Sequence, residues 1–497
     1  MNIIKNVDVK ANELKEKILN SKSLVPTDDT AVFYVANQGD DNNDGKTPET
    51  AWKTLAKVNS VFTKENKNPS FVCFKRGDIF RGQLTVGSNV TYTSYGDGEK
   101  PILTSSSENG KGAEKWSLLE GTSNIWCYYR DMIDVGSIFF DDGEIYAVKR
   151  CPEIINGKYE FGIEELSDMQ FLSLIPEDIA VTLNNSNATT KKGKLLLRCD
   201  KGNPGEIFNS IEFNDRIYTV FLTYNSENVV IDNIAVKFAG AHGIGGGFMK
   251  NITVQNCEIG FIGGGLAYYV KGAQENQYIP CRYGNGVEIH SYCDGYAVEN
   301  CWIHDVYDAG VTHQQGSNHS VGLLFKDVRY QSNLIERCIY SVEYFAKKSA
   351  TTDAPVLMDS VSIKDNIMRM AGYGFGQQRT LVHRDWNMGT HINGWHKSYN
   401  LTRGNFTVEN NIFDRALHSS PDRPIKHNTS IIVLAAGDER WLPEFSGNTY
   451  ICEKGNQFAY RGLMLSPEQN VIPFIKAEDG IDANEIFGDE SGKIYII

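Results

Sequence analysis

VSIKDNIM (Val361–Met368) and FTVENNIF (Phe406–Phe413) carry the same pattern, a β-rich run with Asn near its end. The pattern recurs as VIDNIAV (Val230–Val236), ITVQNCEI (Ile252–Ile259), YAVENCWI (Tyr296–Ile303) and VRYQSNLI (Val328–Ile335). The aligned residues are Asn233, Cys257, Cys301, Asn333, Asn366 and Asn411, with Asn448 a weaker seventh. Their spacings of 24, 44, 32, 33, 45 and 37 residues fit one short structural unit with loops of unequal size, the mark of a solenoid. A β-coil needs roughly 20–25 residues, and the excess projects as loops. Stacking repeats the corner residue about every 4.8 Å, so an inward Asn can bond the Asn above and below it. Cys is small and readily buried, so it fits the same column. The fold expected is all-β: a right-handed parallel β-helix with an N-terminal capping helix and long loop insertions. A propeller would show longer, more even repeats, and a sandwich would show no ladder.

The ladder, together with YVANQGDDNNDGKTPETAWKTLAKVN (Tyr34–Asn59), resembles bacterial right-handed parallel β-helix proteins of the pectin-lyase-like type over about Val32 to Thr449. The resemblance implies the fold and carbohydrate activity, in a group that holds glycoside hydrolases, polysaccharide lyases and non-catalytic members. The Asn-Thr-Asp and paired-Asp motifs of its pectin-degrading hydrolases are absent, so their residues do not carry over.

Composition bounds the rest. The chain of 497 residues suits one long solenoid, and a net charge of −13 excludes nucleic acid and disfavours polyanionic substrates. No apolar stretch is long enough to span a membrane. The charged, amphipathic start lacks the apolar run of a secretory signal, and the ten Cys show no close pair, so a cytoplasmic setting is expected. A homo-oligomer is left open.

Residues 1–30 read as a helical cap around a short helix, Val9–Ser21, over the open end of the solenoid. Residues 31–450 read as the β-helix, with a β-rich insert near 128–209 and loops at 266–284 and 377–404. Residues 451–497 read as an irregular C-terminal cap. Asp40, Asn42 and Asp44 precede Gly45 as in half of a calcium loop, but the twelfth position is Ala51 where a Glu belongs. Ca²⁺ is the only cofactor this suggests.

A second short strand follows each ladder segment. Aligning Ile244, Val287, Val311 and Val342 as a buried column puts Gly245, Glu288, Thr312 and Glu343 in one outward column. Asp308 opens the intermediate rung. Three crowded carboxylates can hold one proton near neutral pH, and a general acid beside an ionised carboxylate is what glycosidic cleavage requires. Asp308, Glu288 and Glu343 are therefore the expected catalytic residues of a glycoside hydrolase. Substrate contacts are expected from His242 and His313 near the strand starts, and from Tyr268 and Tyr283 in the first loop. The second loop offers Arg379, His383, Arg384, Trp386, His391 and Trp395. The substrate expected is an oligosaccharide or glycoconjugate. The alternatives are a polysaccharide lyase on a uronate glycan, with Lys347, Lys348, Arg379 or Arg384 as base or charge neutraliser, and a non-catalytic carbohydrate-binding β-helix.

Overall fold

The computed structural model describes residues 2–27, 30–174, 191–314, 323–346, 356–381, 389–396, 401–417, 429–436, 442–463 and 475–497. The repeated segments stack as a parallel β-helix. One face begins at Leu84–Thr85 and Val220–Leu222, continues through Ala309–Gln314 and Tyr340–Ala346, and runs to Gln457–Leu463 with successive strands parallel. A second face holds Ser70–Lys75, Val90–Tyr95, Glu227–Asp232 and the ladder segments up to Glu444–Ser446. The third is a ten-stranded sheet ending in Lys493–Ile496. Alternation sends Ile244, Val287, Val311 and Val342 inward, where all are fully buried in one continuous core.

The Asn column is the seam between the second and third faces. Asn333, Asn366 and Asn411 each donate Nδ2 to the Oδ1 of the next Asn, at 3.0, 2.9 and 3.1 Å. Asn448 is a full member and donates to Asp489 Oδ2 at 3.0 Å. Asp489 also accepts the Asn448 and Gly447 N–H groups and the Tyr450 hydroxyl, so a carboxylate ends the chain of amides. At the other end Cys301 N–H donates to Asn333 Oδ1, and the column continues as buried thiols.

Several expected boundaries move. The N-terminal helix spans Asn2–Leu19 and does not cover the end of the coil. Its Val7, Ala11 and Ile18 pack against Trp302, Leu334, Ile367 and Ile451, on the outer side of the third face. The helix that enters the start of the core is Leu55–Val61, whose Leu55 and Val58 sit with Leu84 and Val86 of the first rung. The β-rich insert is a seven-stranded sheet running from Ser117 to Asp215, wider than 128–209, with a core of its own. The stretch read as a loop at 266–284 is an antiparallel hairpin, Gly265–Lys271 with Gln277–Tyr283. In the stretch 377–404, Gly389–His396 is a rung of the coil, paired with Tyr340–Ala346 and Thr429–Ala436. The coil also continues past residue 450 through Gln457–Leu463, and a short helix, Ala483–Phe487, packs Phe487 on Tyr450 and Phe458. No helix among the described residues is long and apolar enough to cross a membrane.

Candidate active site

Backbone pairing places Gly245, Glu288, Thr312, Glu343 and Asn393 side by side on successive rungs. Their side chains project away from the core, because each follows a buried Ile or Val by one residue. The column is outward yet covered: Glu288 is only 7% exposed and Thr312 is fully buried, while Glu343 is half-buried. The cover comes from the turns that open the rungs and from the hairpin. Arg282 of the hairpin donates Nε to Gly264 carbonyl and Nη2 to Gly136 carbonyl of the insert. Leu266 N–H donates to Asp134, which is buried in a salt bridge with Lys149. The hairpin is thereby tied to the insert, and its last residue, Tyr283, meets the His242 ring edge-on at 5.1 Å. Tyr218, on the chain entering the first rungs from the insert, meets the same imidazole at 4.9 Å. Arg216 bonds the Tyr283 hydroxyl, and its charge also acts on the Tyr218 phenol.

His242 and Glu288 face each other across a buried contact. His242 Nδ1 accepts the Asn285 backbone N–H at 2.9 Å, so that nitrogen carries no proton. Glu288 Oε2 lies 3.1 Å from the same nitrogen. With that lone pair taken and no proton on the nitrogen, His242 donates nothing to Glu288, so an ionised carboxylate gains no hydrogen bond from the imidazole. Burial acts in the same direction on both partners. It pushes the Glu288 carboxyl up, against the opposing hydrogen bond from Asn285 and charge of His290. It drives the His242 imidazole down to about 4, against the opposing charge of Asp308. Both shifts favour the uncharged forms of the two partners. Asn285 locks the contact: Nδ2 donates to Glu288 Oε2 at 2.5 Å, and Oδ1 accepts the Ala309 N–H of the next rung at 2.8 Å. Gly245 makes the room, since a Cβ there would lie 3.0 Å from that of His242.

Glu343 is held differently. Gln314 Nε2 donates to one of its oxygens at 2.7 Å and Asn393 Nδ2 to the other at 2.8 Å, a setting that favours the ionised carboxylate. Between the two glutamates, Thr312 Oγ1 is buried with no hydrogen-bond partner among the described residues. Asp308 is half-buried at the corner of that intermediate rung, close enough for its charge to act on His242.

Other expected contacts lie elsewhere. His313 belongs to the core: it is two residues beyond inward Val311, it is fully buried, its Nδ1 bonds the Tyr330 hydroxyl at 2.9 Å, and its ring stacks on Tyr344. His391 is fully buried with Nδ1 on Ser341 Oγ and Nε2 on Arg415 carbonyl, so both nitrogens serve the fold rather than a substrate. Tyr268 is 52% exposed on the first strand of the hairpin, across from Cys281. Arg379 lies in the short helix Phe375–Leu381, and Trp395 pairs through its backbone with Phe345. His383, Arg384, Trp386, Lys347 and Lys348 lie outside the described residues. Asp40 and Asp44 accept turn hydrogen bonds, from Asn42 and from Lys46 and Thr50. Among the described residues no cluster of three or more His, Cys, Asp or Glu could hold a metal ion. Asn285, Tyr218, Arg216, Gln314 and Asn393 are the site residues that sequence reasoning missed. Asn285 and Asn393 carried a signal, as polar residues at and beside the aligned strand starts.

No family model and no curated protein matches the chain. Among solved structures it is similar to XylC in complex with xylose, at 12% identity and a TM-score of 0.46 over 94% of this chain and 82% of that one. It is also similar to the GH136 lacto-N-biosidase from Eubacterium ramulus, at 12% identity and a TM-score of 0.33 over 86% and 57%. A third is the hyperthermoactive exopolygalacturonase from Thermotoga maritima, at 12% identity and a TM-score of 0.27 over 94% and 98%. At these identities and scores they assign this chain no site, substrate or activity.

Proposed function

We propose that the protein is a glycoside hydrolase that cleaves an oligosaccharide or glycoconjugate, with Glu288 as general acid and Glu343 as the ionised partner. The observation that carries this reading is the contact of Glu288 with an imidazole nitrogen that already accepts a backbone N–H. Burial raises that carboxyl above its ordinary range, the direction a general acid needs in order to protonate a glycosidic oxygen. Glu343 stands two rungs away, about 9–10 Å at the backbone. Side chains projecting in parallel keep roughly that separation, near the range of about 6.5–9.5 Å in which a water fits between acid and base. The reading therefore includes inversion at the anomeric carbon. Asp308 acts through His242 rather than on the sugar.

The test is a panel of nitrophenyl glycosides and neutral oligosaccharides, with the product anomer followed by NMR. Glu288→Gln and Glu343→Gln should each lower kcat by about 10²–10⁴ while the circular dichroism spectrum is unchanged. If neither variant loses turnover, the assignment is wrong. An unsaturated uronide absorbing in the ultraviolet would instead indicate a lyase, in which Tyr283 and Arg216 would be the groups to examine.

A further inference from the structure

A chain of aromatic rings leads from solvent to the candidate acid. Phe248 and Tyr224 have ring centroids 5.9 Å apart, Tyr224 and Phe221 6.0 Å, and Phe221 and Tyr218 5.7 Å. Tyr218 then touches His242, which touches Glu288. Tyr224 is 50% exposed, and Phe221 and Phe248 are half-buried. Single exposed rings are ordinary, but a continuous file that ends on a buried carboxyl is not scattered surface.

Two features show how the chain builds this file. Phe221 pairs with Gly245, which pairs with Glu288, so Phe221 occupies the outward column two rungs before the acid. That is about 9–10 Å along the coil axis, the place of an adjoining sugar rather than of the bond being broken. Phe248 adopts a left-handed backbone, with φ of 56°, at an irregularity in the pairing between Gly247 and Met249. The conformation puts its ring against Tyr224.

We infer that Phe221, Tyr224 and Phe248 form a glycan-binding subsite for uncharged sugar residues on the N-terminal side of the cleavage point. Flat ring faces with polar edges suit the apolar C–H face of a pyranose and its hydroxyl rim. Asp308 and Glu343, in a chain of net charge −13, argue for a neutral sugar over a uronate. The inference rests on the reading of Glu288 as general acid only for the name of the cleavage point.

The experiment uses the full chain and cello-, xylo- and N-acetylchito-oligosaccharides from disaccharides to hexasaccharides. Tyr224→Ala and Phe221→Ala should raise KM about five- to tenfold for long members of whichever series is cleaved. They should leave nitrophenyl monoglycoside turnover unchanged, and Tyr224→Phe should retain the wild-type value. Equal KM at every length in wild type and variants overturns the subsite while leaving the hydrolase reading in place. Where nothing is cleaved, the same sugars are titrated by intrinsic fluorescence. Binding that Tyr224→Ala weakens and Tyr224→Phe keeps supports the subsite while the hydrolase reading falls. Absence of binding to all three series overturns the subsite.

Discussion

Gly245 decides whether Glu288 can keep its proton. A methyl group there would crowd the His242 ring at 3.0–3.4 Å, and the imidazole cannot retreat far between Tyr218 and Tyr283. Gly245→Ala should therefore loosen the contact with Glu288 and lower its pKa, drawing the alkaline limb of the kcat/KM profile toward neutral pH. An unchanged limb would mean that His242 does not set the proton. His391 offers a cleaner titration, away from the reaction. Burial holds its pKa near 4 against an unfolded value of 6.5, with opposing help from Asp414 and the Arg415 carbonyl. Its contribution to stability is complete above pH 6.5 and is lost as pH falls toward 4, on the order of 3 kcal/mol in all. Glu258 and Asp305, held near 2, act in a lower window. Urea midpoints measured from pH 7 to 4 should fall for the wild type, and His391→Gln should lose one proton's worth of that slope. At this scale the outward column was legible, because a two-residue period and aligned Val residues determine which side chains face out. His313 was misplaced because proximity to a strand start says nothing about facing, and two steps from Val311 return to the core; His391 was misplaced because its stretch read as a loop and is a rung. Tyr218 and Arg216 escaped because they join the site from the chain leaving the insert, with no repeat to align them.

The Asn column is an element in its own right. Asn366 accepts the Asn333 N–H and Nδ2–H and donates Nδ2 to both Tyr330 carbonyl and Asn411, so every polar atom in its neighbourhood depends on it. Asn366→Ala would leave several buried groups without partners and should cost about 2–4 kcal/mol by urea unfolding. A loss below about 1 kcal/mol would mean that water or the neighbouring rungs replace the amide. The ladder was readable because corner Asn residues recur next to β-branched runs. The rung Gly389–His396 was not, since GTHINGWH has only Ile392 to mark its inward side. Polar length alone made it read as part of a loop.

Across the whole molecule, the third face carries apolar residues on both of its sides. Ile303, Ile335, Met368 and Phe413 point into the core, while Trp302, Leu334, Ile367 and Ile412 form a column on the outside. A solvated sheet face would alternate apolar with polar. Two apolar residues in succession after Cys301, Asn333, Asn366 and Asn411 therefore imply a cover, and the N-terminal helix supplies it. Lys15 lies over the Trp302 ring at 3.7 Å, and Asp8 pairs with Arg369. A helix capping the coil end would protect the first rungs, and its removal would unravel them. A helix along the side spans rungs that already pair with one another, so its removal should bare a patch without breaking the coil. Deleting residues 2–19 should accordingly leave the β-sheet circular dichroism signal in place and shift light-scattering mass from the form the intact protein shows toward larger species. Trp302→Glu in the truncated chain should restore the original mass, because a charge in that column opposes self-association. Loss of the β signal on deletion would instead show that the helix holds the coil together.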